Sequence, residues 1–190
     1  MGLGNPGREN AGSRHNLGFM VGEELASRWG LKWTRERFRA RLAEGRAGAG
    51  EGGTPAGPRV ALLLPQTYMN DAGRSVGPAR GALKVPLERL LVVHDEIDLP
   101  FGEVRSRIGG GLAGHNGLKS LKRELGSGEF VRVRGGVGRP DSTDPEIVSG
   151  WVLGRFRESP QEVRDLVARA ADEVERIVRG AGEGPAREAS

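Results

Sequence analysis

The run Leu90-Leu91-Val92-Val93 constrains this 190-residue chain more than any other stretch. Four consecutive apolar residues are too few for a helix, and without alternation both faces of the segment must be covered. That is the habit of a strand inside a parallel sheet, whose crossover helices shield it on both sides. The remaining pattern supplies such partners. Leu17, Met20, Val21, Leu25 and Trp29 recur at helical spacing over 16–29, and Gly30 closes that helix. Phe38 to Glu44 alternates as a strand, "RVALLL" (59–64) is a second buried strand, and 71–83 suits a helix. "GEVRSRI" and "FVRVRGGVG" alternate as strands on either side of a short helix near 116–125, with Gly135 and Gly136 weakening the second or marking a bulge. Ser159-Pro160-Gln161-Glu162 is a capping box ahead of an apolar stripe from Val163 to Val178, ended by Gly180. This alternation predicts a single α/β domain over 1–179, with a twisted, mixed and largely parallel sheet flanked by helices. The segment 45–58 reads as a flexible hairpin-like loop, and 180–190 as a disordered tail.

Composition narrows the setting. There is no cysteine, which excludes disulfides and thiolate metal sites. The longest apolar runs fall far short of a membrane span, and the N-terminus lacks a signal pattern, so a cytoplasmic protein with no membrane partner is expected. The net charge of +4 favours polyanionic partners only weakly. Placement says more. Arg105 and Arg107 share one strand face, Arg132 and Arg134 another, and Lys119, Lys122 and Arg123 one helix face. Gathered around the glycine turn 109–111, they would form a phosphate-binding rim for nucleic acid; ordinary solvated faces are the plainer alternative.

Gly2, Gly4 and Gly7 spell G-x-G-x-x-G, but a dinucleotide loop needs a preceding strand and a helix that begins within it. Pro6 interrupts this one and the helix starts late, so neither a nicotinamide cofactor nor any other is expected. "GGGLAGHNGLKS" fails as a phosphate loop because Leu118 separates Gly117 from Lys119. The glycine stretches instead deliver two His-Asn pairs, His15-Asn16 and His115-Asn116. Asp95 ends the apolar strand, where functional groups of open α/β sheets collect. A histidine oriented by that carboxylate suits a general base on water, with Asn5 and Asn70 as amides for the reacting centre. With no serine or cysteine in a nucleophile motif, ester or amide hydrolysis by water is the indicated chemistry. Asn5 and Asn70 as mere turn formers remain an alternative. His94 reads as structural. No metal is expected, because the adjacent His94, Asp95 and Glu96 cannot all face one ion from a strand.

"GLGNPG…SRHNLGF", "PQTYMN", "VVHDEIDLPFGEVRSRIGGGLAGHNGLKSL" and "VRVRGGVGRP" together resemble bacterial peptidyl-tRNA hydrolase, in order from residue 2 to about 157. The resemblance implies a monomeric, metal-independent esterase that frees tRNA from a peptide. It implies His15 as the catalytic base, Asp95 as its orienting carboxylate, and Asn5 at the reacting centre. It further implies Asn70, Tyr68, Asn116, His115 and Asn10 as substrate contacts, and Arg105, Arg107, Lys119 and Arg134 as tRNA contacts. The same scaffold occurs in a plant organelle RNA-splicing factor, so a non-catalytic RNA-binding module is the alternative. The family also has a buried apolar strand before the G-L-x-N-P-G loop, which implies that the first interior strand is truncated here. The expectation is a sheet with an unfilled interior position and a mobile Asn5. Asn10, Leu112-Ala113, Gly135 and Arg139 depart from the family's usual residues.

Overall fold

The computed structural model describes residues 1–48 and 57–180. Strands β1 (Thr34–Arg37), β2 (Ala40–Arg46) and β3 (Arg59–Pro65) form an antiparallel meander, and β4 (Leu91–Glu96), β5 (Val104–Ile108) and β6 (Val131–Gly136) form a second sheet in the order β4-β6-β5. β4 runs parallel to β6, with His94 opposite Arg134, and β5 pairs antiparallel with β6. The parallel pairing expected of the Leu90–Val93 run is therefore present. The other pairings between these six strands are antiparallel, so the sheet is mixed but less parallel than expected.

Residues Met1 to Leu3 lie between the two sheets. The Gly2 N–H donates to Leu63 O at 3.1 Å, the Leu3 N–H to Val93 O at 2.9 Å, and the Val93 N–H to Met1 O at 2.9 Å. Gly2 and Val93 pair in parallel fashion, so three residues join β3 to β4. The interior position is thus partly filled, and the groove beside it is a cavity of about 220 Å³ lined by Met1, Leu62, Leu83 and Leu91 among others.

Helices α1 (Leu17–Arg28) and α5 (Pro160–Arg179) cover one face of this surface, and α2 (Gly73–Ala82) and α3 (Asn116–Leu125) cover the other. Period-two geometry sends neighbouring strand residues into opposite cores. Val93 packs with Leu17, Val133 and Leu166, whereas Val92 packs with Leu3, Leu118 and Phe130. Each such leucine or valine contributes about 1.5–3 kcal/mol by burial. The capping box at Ser159 forms as expected, with Glu162 N–H donating to the serine and Ser159 N–H to the Glu162 carboxylate.

Three local expectations are corrected and one helix is added. Phe38 is not the start of a strand: Phe38 and Arg39 are the two central residues of the β1–β2 turn, both at positive φ (59° and 53°). Gly135 and Gly136 do not mark a bulge, because β6 keeps regular register on both sides. They are close-approach positions instead: a Cβ on Gly135 would lie 2.3 Å from Leu17 and one on Gly136 2.1 Å from Pro100 O. Helix α4 (Pro145–Leu153) went unforeseen, since it carries no apolar stripe facing a core and buries no residue fully. Gly45 and Arg46, expected in a loop, end β2; most of that loop (49–56) and residues 181–190 of the expected tail lie outside the described residues.

Candidate active site

The site is built where α1 meets the sheet. Gly18 allows the close approach: a Cβ there would stand 2.4 Å from both Leu3 N and Val93 O. The helix therefore packs backbone against backbone, and the 3-10 turn Arg14–Asn16 just before it is carried to the C-terminal end of β4. His15 Nδ1 then lies 2.9 Å from each carboxylate oxygen of Asp95. From the other face, His115 Nε2 lies 3.2 Å from Asp95 Oδ1.

Partner accounting assigns the protons. His115 is the N-cap of α3, and its Nδ1 accepts from the Gly117 and Leu118 N–H groups, so its proton is on Nε2 and is donated to Asp95. His15 donates through Nδ1 to the same carboxylate, which leaves its Nε2 with a free lone pair. Burial acts to raise the Asp95 pKa, but the interactions with His15 and His115 outweigh it and hold the carboxyl well below the usual range. His15, Asp95 and His115 place ligand atoms within 4.8 Å of one another, a geometry that could hold a cation. Both short contacts are nevertheless fully explained as hydrogen bonds to a carboxylate.

Asn5 is not mobile. Its N–H donates to Asn16 Oδ1 and Asn16 Nδ2 donates back to Asn5 O, both at 2.9 Å. The Met69 N–H donates to Asn5 Oδ1 at 2.8 Å, so the side-chain amide is oriented with Nδ2 as its remaining donor. Asn16 is a residue whose part the sequence pattern did not show; its place beside His15 was the only signal. A cavity of about 810 Å³ gathers Asn5, Asn10, His15, Asp95 and His115 with Tyr68, Asn70, Asn116 and Lys119. Tyr68 stands 70 % exposed at its mouth, and Asn70, Asn116 and Lys119 are exposed on its rim. Asn10 turns its amide back to Pro6 O at 2.7 Å. Pro145, Val148, Ser149, Val152 and Leu153 of the unforeseen α4 form an opposing wall.

His94 is buried beside the cluster, its ring 5.0 Å from that of His115. Burial first, then the neighbouring His115, lowers its pKa to about 3, so it is neutral near pH 7. Nδ1 donates to the Asp95 carbonyl at 2.7 Å, which fixes this tautomer too.

The basic residues divide. Arg105 is exposed, with Glu103 at 2.8 Å, opposite Arg134 in the β5–β6 pairing. Arg107 and Arg134 are half-buried on the same face, Arg134 lying 4.0 Å from Glu96. None of these three lines the cavity. Arg132 does not belong to a rim: it is 1 % exposed and donates to the carbonyls of Gly110, Gly111 and Gly128. Burial, then Arg107 and Arg134, lowers its pKa to about 10.

A family model described as peptidyl-tRNA hydrolase matches residues 1–187. The chain belongs to the peptidyl-tRNA hydrolase family. A peptidyl-tRNA hydrolase of Kineococcus radiotolerans is 49 % identical over 185 residues, covering 94 % of this chain and 89 % of that one. One from Geotalea uraniireducens is 47 % identical, covering 87 % and 80 %. The crystal structure of peptidyl-tRNA hydrolase from Acinetobacter baumannii superposes with a TM-score of 0.76 at 38 % identity, covering 93 % of this chain and 84 % of that one. The non-catalytic RNA-binding alternative finds no support among these relatives. Two departures from the peptidyl-tRNA hydrolase pattern have structural accounts. Gly135 makes room for Leu17, and Arg139 pairs with Asp98 at 2.6 Å on the surface.

Proposed function

We infer that this chain hydrolyses the ester bond between peptide and tRNA in peptidyl-tRNA, with His15 as general base on water. The observation that carries the reading is the His15–Asp95 contact, which leaves the His15 Nε2 lone pair as the base. Nε2 takes a proton from water as the oxygen attacks the ester carbonyl. The imidazolium that forms is stabilised by the Asp95 carboxylate through Nδ1–H. Asn5 Nδ2 donates to the oxyanion, and its clamp of Asn16 and Met69 means little reorganisation is needed at that moment. Collapse breaks the ester bond, and the imidazolium returns its proton to the ribose hydroxyl that leaves. Asn70, Tyr68, Asn116, His115 and Asn10 contact the peptidyl end from the cavity walls. The tRNA phosphates lie across Arg105, Arg107, Arg134 and Lys119. No metal is needed for any step, and the chain acts as a monomer in the cytoplasm; among the described residues no helix is long and apolar enough to cross a membrane.

The test is release of N-acyl-amino acid from acylated tRNA by the purified chain in the presence of a chelator. Turnover is expected. Retained tRNA binding with no turnover would overturn the hydrolase reading. Replacing Arg105 or Arg134 by glutamine should weaken binding of all tRNAs alike and reduce the salt slope by about 1 for each phosphate interaction removed.

A further inference from the structure

One buried cation joins the helix that walls the cavity to the turn that carries His15. Helix α4 has no fully buried residue, and Ile147 and Leu153 are 52 % and 48 % exposed. Its attachment runs through Trp151, whose Nε1 donates to Gly138 O at 2.9 Å and whose ring centroid lies 3.9 Å from the Arg14 guanidinium. Arg14 is itself 1 % exposed. It donates to Arg155 O at 2.7 Å and to the Glu158 carboxylate at 3.4 Å, both in the segment that leaves α4. The two backbones are also paired: Ser13 bridges Arg155, and the Arg14 N–H donates to Gly154 O at 3.0 Å.

A buried guanidinium costs desolvation that only well-placed partners offset. Here those partners come from one side, the exit of α4, while the next residue on the other side is His15. An apolar side chain could fill the same volume, but only the planar fork fixes donors, ring and backbone in one arrangement. Neither Arg14 nor Trp151 lines the cavity, so neither touches substrate there.

We propose that Arg14 is a positioning residue that couples the seating of α4 to the placement of His15. Substrate resting against Val148 and Val152 of α4 steadies Trp151, Arg14 and hence the base. The proposal rests on the reading of His15 as general base.

The experiment compares Arg14→Lys, Trp151→Leu and the double variant in kcat, KM and melting temperature, assayed well below the lowest transition. Each single change should lower kcat by about tenfold or more while KM stays within about threefold, since displacement of a base by an ångström costs on the order of 100-fold. The double variant should be no worse than the worse single, because both break one link. A lower melting temperature with unchanged kcat would overturn the proposal, as would additive effects on kcat. If Arg14→Lys does not fold, Trp151→Leu decides alone: a fall in kcat at constant KM supports the coupling, and unchanged kcat overturns it. His15→Ala, run beside them, separates the two readings. Turnover retained there would remove the base itself, whereas turnover abolished there with Arg14→Lys unimpaired removes only the coupling.

Discussion

His15 Nδ1 stands 2.9 Å from both oxygens of Asp95, although 80 residues separate the two in the chain. The carboxylate thereby selects the tautomer that leaves Nε2 unprotonated. Asp95→Asn keeps the size but offers His15 an amide, and can hold the wrong tautomer. It is expected to lower kcat by between about 100-fold and 10 000-fold with KM nearly unchanged. Steady-state kinetics on acylated tRNA checks this, and an effect confined to KM would mean that Asp95 serves binding instead.

Asn16 holds Asn5 through two reciprocal hydrogen bonds. In Asn16→Ala a buried N–H and C=O of Asn5 lose their partners, at a cost of about 1–3 kcal/mol. Urea unfolding should show that destabilisation, and kcat should fall with it as Asn5 Nδ2 loses its aim. An unaltered unfolding midpoint would contradict the clamp.

His94 makes a separate prediction about pH. Its pKa is about 3 in the folded chain against an ordinary 6.5, so between those values the unfolded chain binds the extra proton. Stability therefore rises with pH across that window and is fully present above about 6.5. Asp95, depressed in the folded chain, loses its contribution only as pH falls below its ordinary 3.8. Chemical denaturation between about pH 4 and pH 7 should thus show stability declining on acidification, with the buried Met1 ammonium, lowered to about 5 by desolvation, adding to the His94 contribution in the upper part of that range. His94→Asn should make that decline shallower, most clearly below about pH 5 where the Met1 ammonium no longer contributes, and a wild-type slope retained there would assign it to other groups.

Much of this was legible in the chain because local chemistry and tertiary position agree. Leu90–Val93 has no polar face, and β4 is covered on both sides. Ser159 and Glu162 cap one another in the fold as their spacing suggests. Asp95 and His15 converge because both lie where the sheet's carboxyl ends open. What stayed hidden lacks a local signature. The β1–β2 turn uses Phe38 and Arg39 at positive φ, where Asn-Gly would have announced it. Helix α4 shows no amphipathic stripe because it walls a cavity and packs on no core. Arg132 and Arg105 look alike in the sequence, yet the loop carbonyls of Gly110, Gly111 and Gly128 draw one inward and leave the other on the surface. Asn16 and Arg14 act through groups far along the chain or on its backbone, which residue spacing does not reveal.

The most direct measurement is turnover of N-acyl-aminoacyl-tRNA by the wild-type chain and by His15→Ala, with tRNA affinity measured on both. If His15 is the base, kcat falls by at least about 100-fold while tRNA affinity is unchanged. A variant that still turns over at close to the wild-type rate would contradict it.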